Sequence, residues 1–428
     1  MYFGTVFPSV SHDAMLLFLV QLTVVLSSAL LLGLLARRFG LPMIVGELLA
    51  GVLLGPSLLG WIAPGLYAQL FPGDIGQAHL LNGLGQLGVL LLVGLSGMQM
   101  NTWLIRKQRR AAIKVSMAGL FVPLALGIIV GWLLPEALMG QSDRLTFALF
   151  MGVALCVSAL PVIAKTFLDM GLMNHKTCQL ALVAAVIDDA FGWTMLSIVS
   201  AMAIAGAQLG FIAWSILKLI LVMVVMLTIG RKIIHWIIDA VARFGNGDGN
   251  LVTALAAIIL ASALLTHALG LEAIFGAFIS GIILGTHKKS RNIRLPTVLS
   301  VLVPVFFVTA ALRMDLTLLA KPVVLVSALI VVAAAIIGKF AGAYFGARLS
   351  HLSRRDAVIL GASLNARGVI EVIIAAVGMR LGILTVEAYT IIVLVAIVTS
   401  LMAPPLLRYA TKGYEGSGSD RGNWPEPL

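Results

Sequence analysis

The sequence predicts an all-α polytopic membrane protein of about thirteen transmembrane helices, arranged as two inverted six-helix repeats with one broken helix in each. Three observations predict it. Apolar runs of about 20 residues recur along a chain that is 60% hydrophobic and 11% charged, with a mean hydropathy of +1.07. The basic residues gather on one side of the spans that these runs define. A helical hairpin occurs twice, 230 residues apart. The short alternating segments of a transmembrane β-barrel are not found.

The expected spans, numbered 1 to 13, lie near residues 14–36, 42–62, 80–100, 111–134, 145–170, 179–205, 211–236, 250–269, 271–286, 297–314, 323–347, 356–380 and 385–409. Residues 1–13 are polar and carry no basic n-region, and span 1 is long enough to cross the bilayer, so no cleavable signal peptide is expected. The 15 prolines and 43 glycines suit membrane helices, where neighbouring helices and waters satisfy freed backbone groups. Cys156 and Cys178 sit in or beside apolar runs without metal-type spacing and read as reduced bystanders. The tail after residue 410 is rich in Gly, Ser and Pro and is expected to be disordered.

A net charge of +11 would suggest nucleic acid in a soluble protein, but in a membrane protein the placement of charge matters more than its sum. With alternating spans, 22 of the 29 Lys and Arg fall on one side. Arg144, Arg313, Lys321 and Arg380 fall on the other, and Lys218, Lys339 and Arg367 lie inside spans. The positive-inside rule then places the N-terminus outside and the C-terminus in the cytoplasm of a cell (inner) membrane protein, with lipid and no nucleic acid as partner. The absence of a GxxxxGK[ST] motif argues against a pump driven by ATP bound to this chain, and no cofactor is expected.

The repeated hairpin is "LARRFGLPMIVGELLAGVLLG" (35–55) against "LTHALGLEAIFGAFISGIILG" (265–285). Leucines match by chance in apolar sequence, but Gly40/Gly270, Gly46/Gly276, Gly51/Gly281 and Gly55/Gly285 match in register. Span 1 corresponds to span 8, and seven steps reverse the direction of crossing. Spans 1–6 and 8–13 are therefore inverted repeats, with span 7 as the link. Secondary transporters have this architecture, and their sites lie near the midplane where interrupted helices meet.

Interruptions fall at equivalent places. Span 5 holds "CVSALPVIAK", where Pro161 removes a hydrogen bond and Ser158 can supply a local one; span 12 holds "ASLNARGVIE", with Asn365 and Gly368. Half-helix ends at these points would offer partial charges to an ion without placing full charges in lipid. A proline kink is common in membrane helices for packing alone, but paired interruptions favour a site.

Span 6 carries Asp188 and Asp189 side by side, and between Gln179 and Gly206 there is no other ionisable group. An Asp at a helix centre costs about 2.5–3.5 kcal/mol on translocon-type scales. Adjacent helical residues differ in direction by about 100°, so the two carboxylates serve different partners. Lys339, mid-span in "AAAIIGKFAGAYFG" with glycines at 338, 342 and 346, is the expected counter-charge of Asp188, leaving Asp189 to face a water-filled cavity. Arg367 and Glu371, at i and i+4, read as a local pair or as part of the ion path. Glu47 and Glu272 read as carboxylates at helix starts, and Lys218 as a side chain that snorkels. Asp189 can then hold a proton or a monovalent cation in turn, which gives exchange when the site alternates between the two sides.

A cation channel or uniporter could use the same carboxylate for selectivity. An intramembrane aspartyl protease needs its two aspartates on different helices, which neighbours on one helix cannot provide. An organic-anion symporter would have no evident need of Asp188, Asp189 and Lys339 together.

The stretches "VSALPVIAKTFLDMGLMNHKTCQLALVAAVIDDAFGW" (157–193), "IVGELLAGVLLGPSLLG" (44–60), "GLEAIFGAFISGIILG" (270–285), "LVPVFFVTAALRMDL" (302–316) and "LNARGVIEVII" (364–374) resemble the bacterial and plant monovalent cation:proton antiporters of the second cation/proton antiporter family. The similarity runs from about residue 15 to 409. It implies crossed broken helices in a core domain of spans 4–6 (111–206) and 11–13 (321–410). Spans 1–3 (1–110) and 8–10 (250–320) would form a dimerisation scaffold, joined to the core by a linker (207–249), and the core would move as an elevator in a homodimer. It further implies that Asp189 binds Na+ or K+ and the proton, that Asp188 pairs with Lys339, and that exchange is electrogenic. Potassium-efflux relatives carry a cytosolic nucleotide-binding domain, so ligand gating of that kind is not expected of the short tail.

Overall fold

Apolar sequence forces the backbone to satisfy itself, and the chain does so almost wholly as helices. The computed structural model describes residues 11–72, 75–98, 109–170, 172, 175–205, 209–244, 248–291 and 296–411. In order these form α1 (His12–Arg38), α2 (Met43–Leu54), α3 (Ile75–Met98), α4 (Arg109–Leu133), α5a (Arg144–Cys156), α5b (Leu160–Asp169) and α6 (Lys176–Ala205). There follow α7 (Leu209–Val225, running through a π-turn, Met226–Gly230, into Arg231–Phe244), α8 (Asp248–Ala268), α9 (Ala273–Gly285) and α10 (Pro296–Ala311). The last are α11 (Pro322–Leu349), α12a (Arg354–Leu364), α12b (Val369–Arg380) and α13 (Val386–Thr411). The tail of residues 412–428 lies outside the described residues.

Several helix starts are written in the sequence. Ser11, Asp143 and Ser353 precede α1, α5a and α12a and accept hydrogen bonds from the backbone N–H of Ala14, Thr146 and Asp356. Proline occupies the first turn of α11, where its missing donor costs nothing.

Ten stretches among the described residues are long and apolar enough to cross a membrane, two of them by running on past α2 (Met43–Ile62) and α10 (Leu299–Ala320), and the pair α12a and α12b, bent by 43°, makes an eleventh. Thirteen were expected. The other two expected spans coincide with α5a and α5b, of 13 and 10 residues, and with α9, of 13 residues. Length and apolarity alone do not make these spans, because the break divides one and an early turn shortens the other. Leu31, Leu133, Leu264 and Ile337 are each more than 60% exposed on the outer faces of their helices, which suits contact with lipid.

The helices pack in two groups. α1, α2, α3, α8, α9 and α10 lie mainly against one another, and α4, α5a, α5b, α6, α11, α12a, α12b and α13 do the same. The glycines at 338, 342 and 346 seat α11 on α4: a Cβ at Gly342 would lie 2.5 Å from the carbonyl oxygen of Ala118. Small residues thus let two backbones meet directly, the packing that lipid-embedded helices favour.

The two hairpins repeat in local geometry as well as in sequence. Gly40 and Gly270 have φ of 72° and 74°, a left-handed turn that glycine adopts without strain. A Cβ at Gly46 would come within 2.2 Å of Leu32 O, and one at Gly276 within 2.2 Å of Ser262 O. Leu32 and Ser262 are themselves 230 residues apart.

The close contact between α9 and α3 is exacting. A Cβ at Gly281 would sit 2.0 Å from Gly94 O, whereas one at Gly83 meets nothing within 4 Å. We expect Gly281→Val to destabilise the protein by about 1–3 kcal/mol through overpacking and Gly83→Ala to leave it unchanged or slightly more stable. Melting curves of the two variants in detergent check this.

Candidate functional site

The site is built where two helices stop. α5a ends at Cys156 and residues 157–159 are non-helical before α5b; α12a ends at Leu364 and the chain resumes as α12b at Val369. The two breaks touch through the backbone, the N–H of Ala159 donating to the carbonyl of Ala366 at 2.9 Å. A helix end leaves carbonyl oxygens without intrahelical partners, and inside a bilayer no water replaces them.

Side chains from the opposite break and from α11 supply the partners. Arg367 donates to Ala154 O at 3.2 Å, to Leu155 O, and to Ala335 O of α11 at 3.0 Å. Lys339 donates to Cys156 O. The last three carbonyls of α5a are therefore covered by two cations, which also oppose the negative end of that half-helix. In return Ser158, in the first break, donates to Leu364 O at 2.9 Å, the last carbonyl of α12a. Asn365 donates to Ile336 O of α11 at 3.3 Å, and Ser400 of α13 donates to Arg367 O.

Asp188 is fully buried and saturated. Its Oδ2 lies 2.7 Å from Lys339 Nζ and 2.8 Å from Ser158 Oγ, and its Oδ1 accepts from Ser116 Oγ of α4 at 2.7 Å. Ser158 carries one proton and has two acceptors within reach, Asp188 and Leu364, so its hydroxyl couples the carboxylate to the end of α12a.

Asp189 is 1% exposed, and its Oδ1 has no hydrogen-bond partner. One turn along the same face, Trp193 packs its ring against Phe278 of α9 at 6.4 Å between centroids. On the face that carries Asp188, Gly192 meets the first break directly: a Cβ there would lie 2.6 Å from Val157.

Several expectations are corrected. Ser158 does not bond locally within its helix; it reaches across to the other break and to Asp188. Pro161 does not sit in the interruption but is the second residue of α5b, where the absent N–H would have no partner in any case; its side chain lies outside the described residues. Arg367 is not a helical residue paired mainly with Glu371. It lies in the break, 3.4 Å from Glu371 Oε1, and spends its shorter contacts on carbonyls. Gly368, with φ 158° and ψ −107°, precedes α12b, and a Cβ there would press on Ser400 and Val162 at 3.3 Å.

Glu47 lies beyond the first turn of α2, buried, with Oε2 unpartnered, so the dipole does not explain it. Glu272 precedes α9 and is paired with Arg380 at 2.9 and 3.0 Å. Lys218 donates to Leu269 O, in the turn between α8 and α9. The sequence reading missed Ser116, Trp193 and the Glu272–Arg380 pair. A signal existed for Trp193, four residues after Asp189 on one helix; none existed for a contact between residues 116 and 188.

Buried ion pairs, two helix breaks in contact and a second carboxylate with an unpartnered oxygen, set in a bundle of apolar helices, are features suited to a membrane transporter of small cations. Residues 25–411 match the sodium/hydrogen exchanger transmembrane family, and the chain belongs to it. The Na+/H+ antiporter NhaS4 of Synechocystis is 34% identical, with 92% of this chain and 97% of that protein covered. The Na+/H+-K+ antiporter GerN of Bacillus cereus is 28% identical, with 92% and 96% covered. The fold matches that of the sodium proton antiporter MjNhaP1 from Methanocaldococcus jannaschii with a TM-score of 0.68 at 18% identity, over 94% of this chain and 98% of that one. The protein is a monovalent cation:proton antiporter and not an enzyme.

Removing Lys339 would strand both Asp188 and the Cys156 carbonyl. We expect Lys339→Ala to cost about 3–5 kcal/mol, and Lys339→Met combined with Asp188→Asn to cost clearly less, because the double change leaves no unpaired charge. Comparison of the melting temperatures of the two variants tests this.

Proposed function

We propose that the protein exchanges Na+ or K+ for protons by alternating access, with cation and proton competing for Asp189. The observation that carries this reading is the contrast between two neighbouring carboxylates. Asp188 has three donors, one of them a cation; Asp189 is equally buried and has an oxygen with none. A lone carboxylate in such a place is tolerated when a proton or a cation neutralises it, so either ligand can ride with the site and neither is needed permanently. The printed names of the Synechocystis and Bacillus relatives, one for Na+ and one for Na+ and K+, support that pair of cations.

The moving unit in this proposal is the group of α4 to α6 and α11 to α13, carried against a scaffold of α1 to α3 and α8 to α10 that also forms a homodimer. Two things support it: the two groups pack mainly within themselves, and every residue of the site belongs to the first. The matched geometry of the two glycine hairpins supports inverted repeats, and the excess of basic residues on one side supports an external N-terminus and a cytoplasmic C-terminus.

Reconstitution into vesicles containing a pH dye tests the exchange. Adding Na+ or K+ should move protons through the wild type, and Asp189→Asn should reduce this to near background while keeping its melting temperature. Ohmic cation current without proton movement would instead identify a channel.

The motion has its own test. Arg380 of α12b and Glu272 before α9 bridge the two groups at 2.9 Å. We expect Arg380→Cys together with Glu272→Cys, joined by a short bis-thiosulfonate, to stop exchange, and reduction to restore it. Undiminished exchange in the cross-linked protein would show that these groups do not move past one another.

A further inference from the structure

α6 presents two faces of opposite character. Among the described residues, four of its buried side-chain atoms have no hydrogen-bond partner: Gln179 Oε1, Asp189 Oδ1, Trp193 Nε1 and Ser200 Oγ. At 100° per residue these four positions fall within about 80° of the helix circumference. Asp188 and Gly192 lie outside that sector, and there the polar groups are bonded and the backbone is in contact. Ser197, in the same sector, bonds back to the Trp193 carbonyl at 3.0 Å, and the four others have no protein partner; buried polar groups without protein partners are the usual hosts of water.

Within the sector, Asp189 offers an acceptor and Trp193 a donor. They are four residues apart, so their directions differ by about 40°. Long helical side chains lean back over the preceding turn, the direction in which Asp189 lies from Trp193. Trp193 is 1% exposed and its ring packs beside Phe278, so its N–H is shut off from bulk water.

We propose that the indole N–H of Trp193 holds a water molecule against Asp189 Oδ1 and positions that water as a ligand of the transported cation. The inference rests on the assignment of Asp189 as the exchange site. The water accepts from Nε1 and donates to Oδ1, and its remaining lone pair is free to face a cation. Trp193 is in this account a positioning residue, fixing one of the oxygens that replace the ion's hydration shell. A role in packing alone is the competing account, and it needs the ring but not the N–H.

Two substitutions separate these accounts: Trp193→Phe, and replacement of Trp193 by benzothienylalanine, which keeps the bicyclic shape and lacks the donor. Each is assayed for Na+- and K+-driven proton movement in vesicles, with melting temperature measured in parallel. The expected result for both is an apparent cation KM raised about 3–10-fold, with maximal rate and melting temperature close to wild type. A wild-type KM in the benzothienylalanine protein overturns the proposal, whether or not Trp193→Phe is impaired. If Asp189→Asn itself retains exchange, the underlying assignment of the site fails first; if Asp189→Asn is inactive and benzothienylalanine is silent, only the water bridge fails.

Discussion

A helix that stops inside a bilayer leaves its last carbonyls in a medium that cannot hydrogen-bond them, and this protein stops two helices there. The answer at α5a is to aim two full positive charges at three carbonyls: Arg367 at Ala154 and Leu155, Lys339 at Cys156. Those cations in turn need anions, since an unpaired charge in such surroundings is costlier than the carbonyls they cover. Glu371 stands 3.4 Å from Arg367 and Asp188 2.7 Å from Lys339. The broken helices, the buried lysine and the first aspartate are thus one compensated unit, and none of its parts is affordable without the others.

Asp189 falls outside that unit by a rotation of about 100°. The turn that aims Asp188 at Ser116, Ser158 and Lys339 aims its neighbour toward α9, where Trp193 meets Phe278. Two identical side chains on consecutive residues therefore differ in chemistry because a helix has 3.6 residues per turn. One has its donors within the protein; the other has an oxygen with none.

Much of this could be read from residues alone. The lack of any other ionisable group from Gln179 to Gly206 singled out the aspartates, and Lys339 among glycines was the evident counter-charge. The interruptions in spans 5 and 12 were legible as places where polar and helix-breaking residues enter apolar runs. What each residue does there was not. Ser158, Arg367 and Asn365 all act across to another element, and single-sequence patterns report only neighbours a few positions away. Arg367 and Glu371 at i and i+4 suggested a helical pair because the pattern carries no sign that residues 365–368 have left the helix. The same limit hid Ser116, whose partner is 72 residues away, and Arg380, whose partner is 108 away.

The location of the partners bears on how such a site could be moved. Every group that compensates Asp188, Lys339 and Arg367 lies on α4, α5a, α6, α11, α12b or the breaks, all within one packing group. Moving that group as a body would leave each of these contacts intact, so the cost of separating a buried ion pair, about 3–5 kcal/mol, would not be met in the motion proposed above. The face of α6 that carries Asp189 is different, because what it meets on α9 belongs to the other group. Sliding one group past the other changes the surroundings of Asp189 while leaving those of Asp188 as they were. A transporter built this way can alternate the access of one carboxylate at the cost of rearranging apolar contacts and a few bridging pairs, among them Glu272–Arg380, where one guanidinium nitrogen engages both carboxylate oxygens.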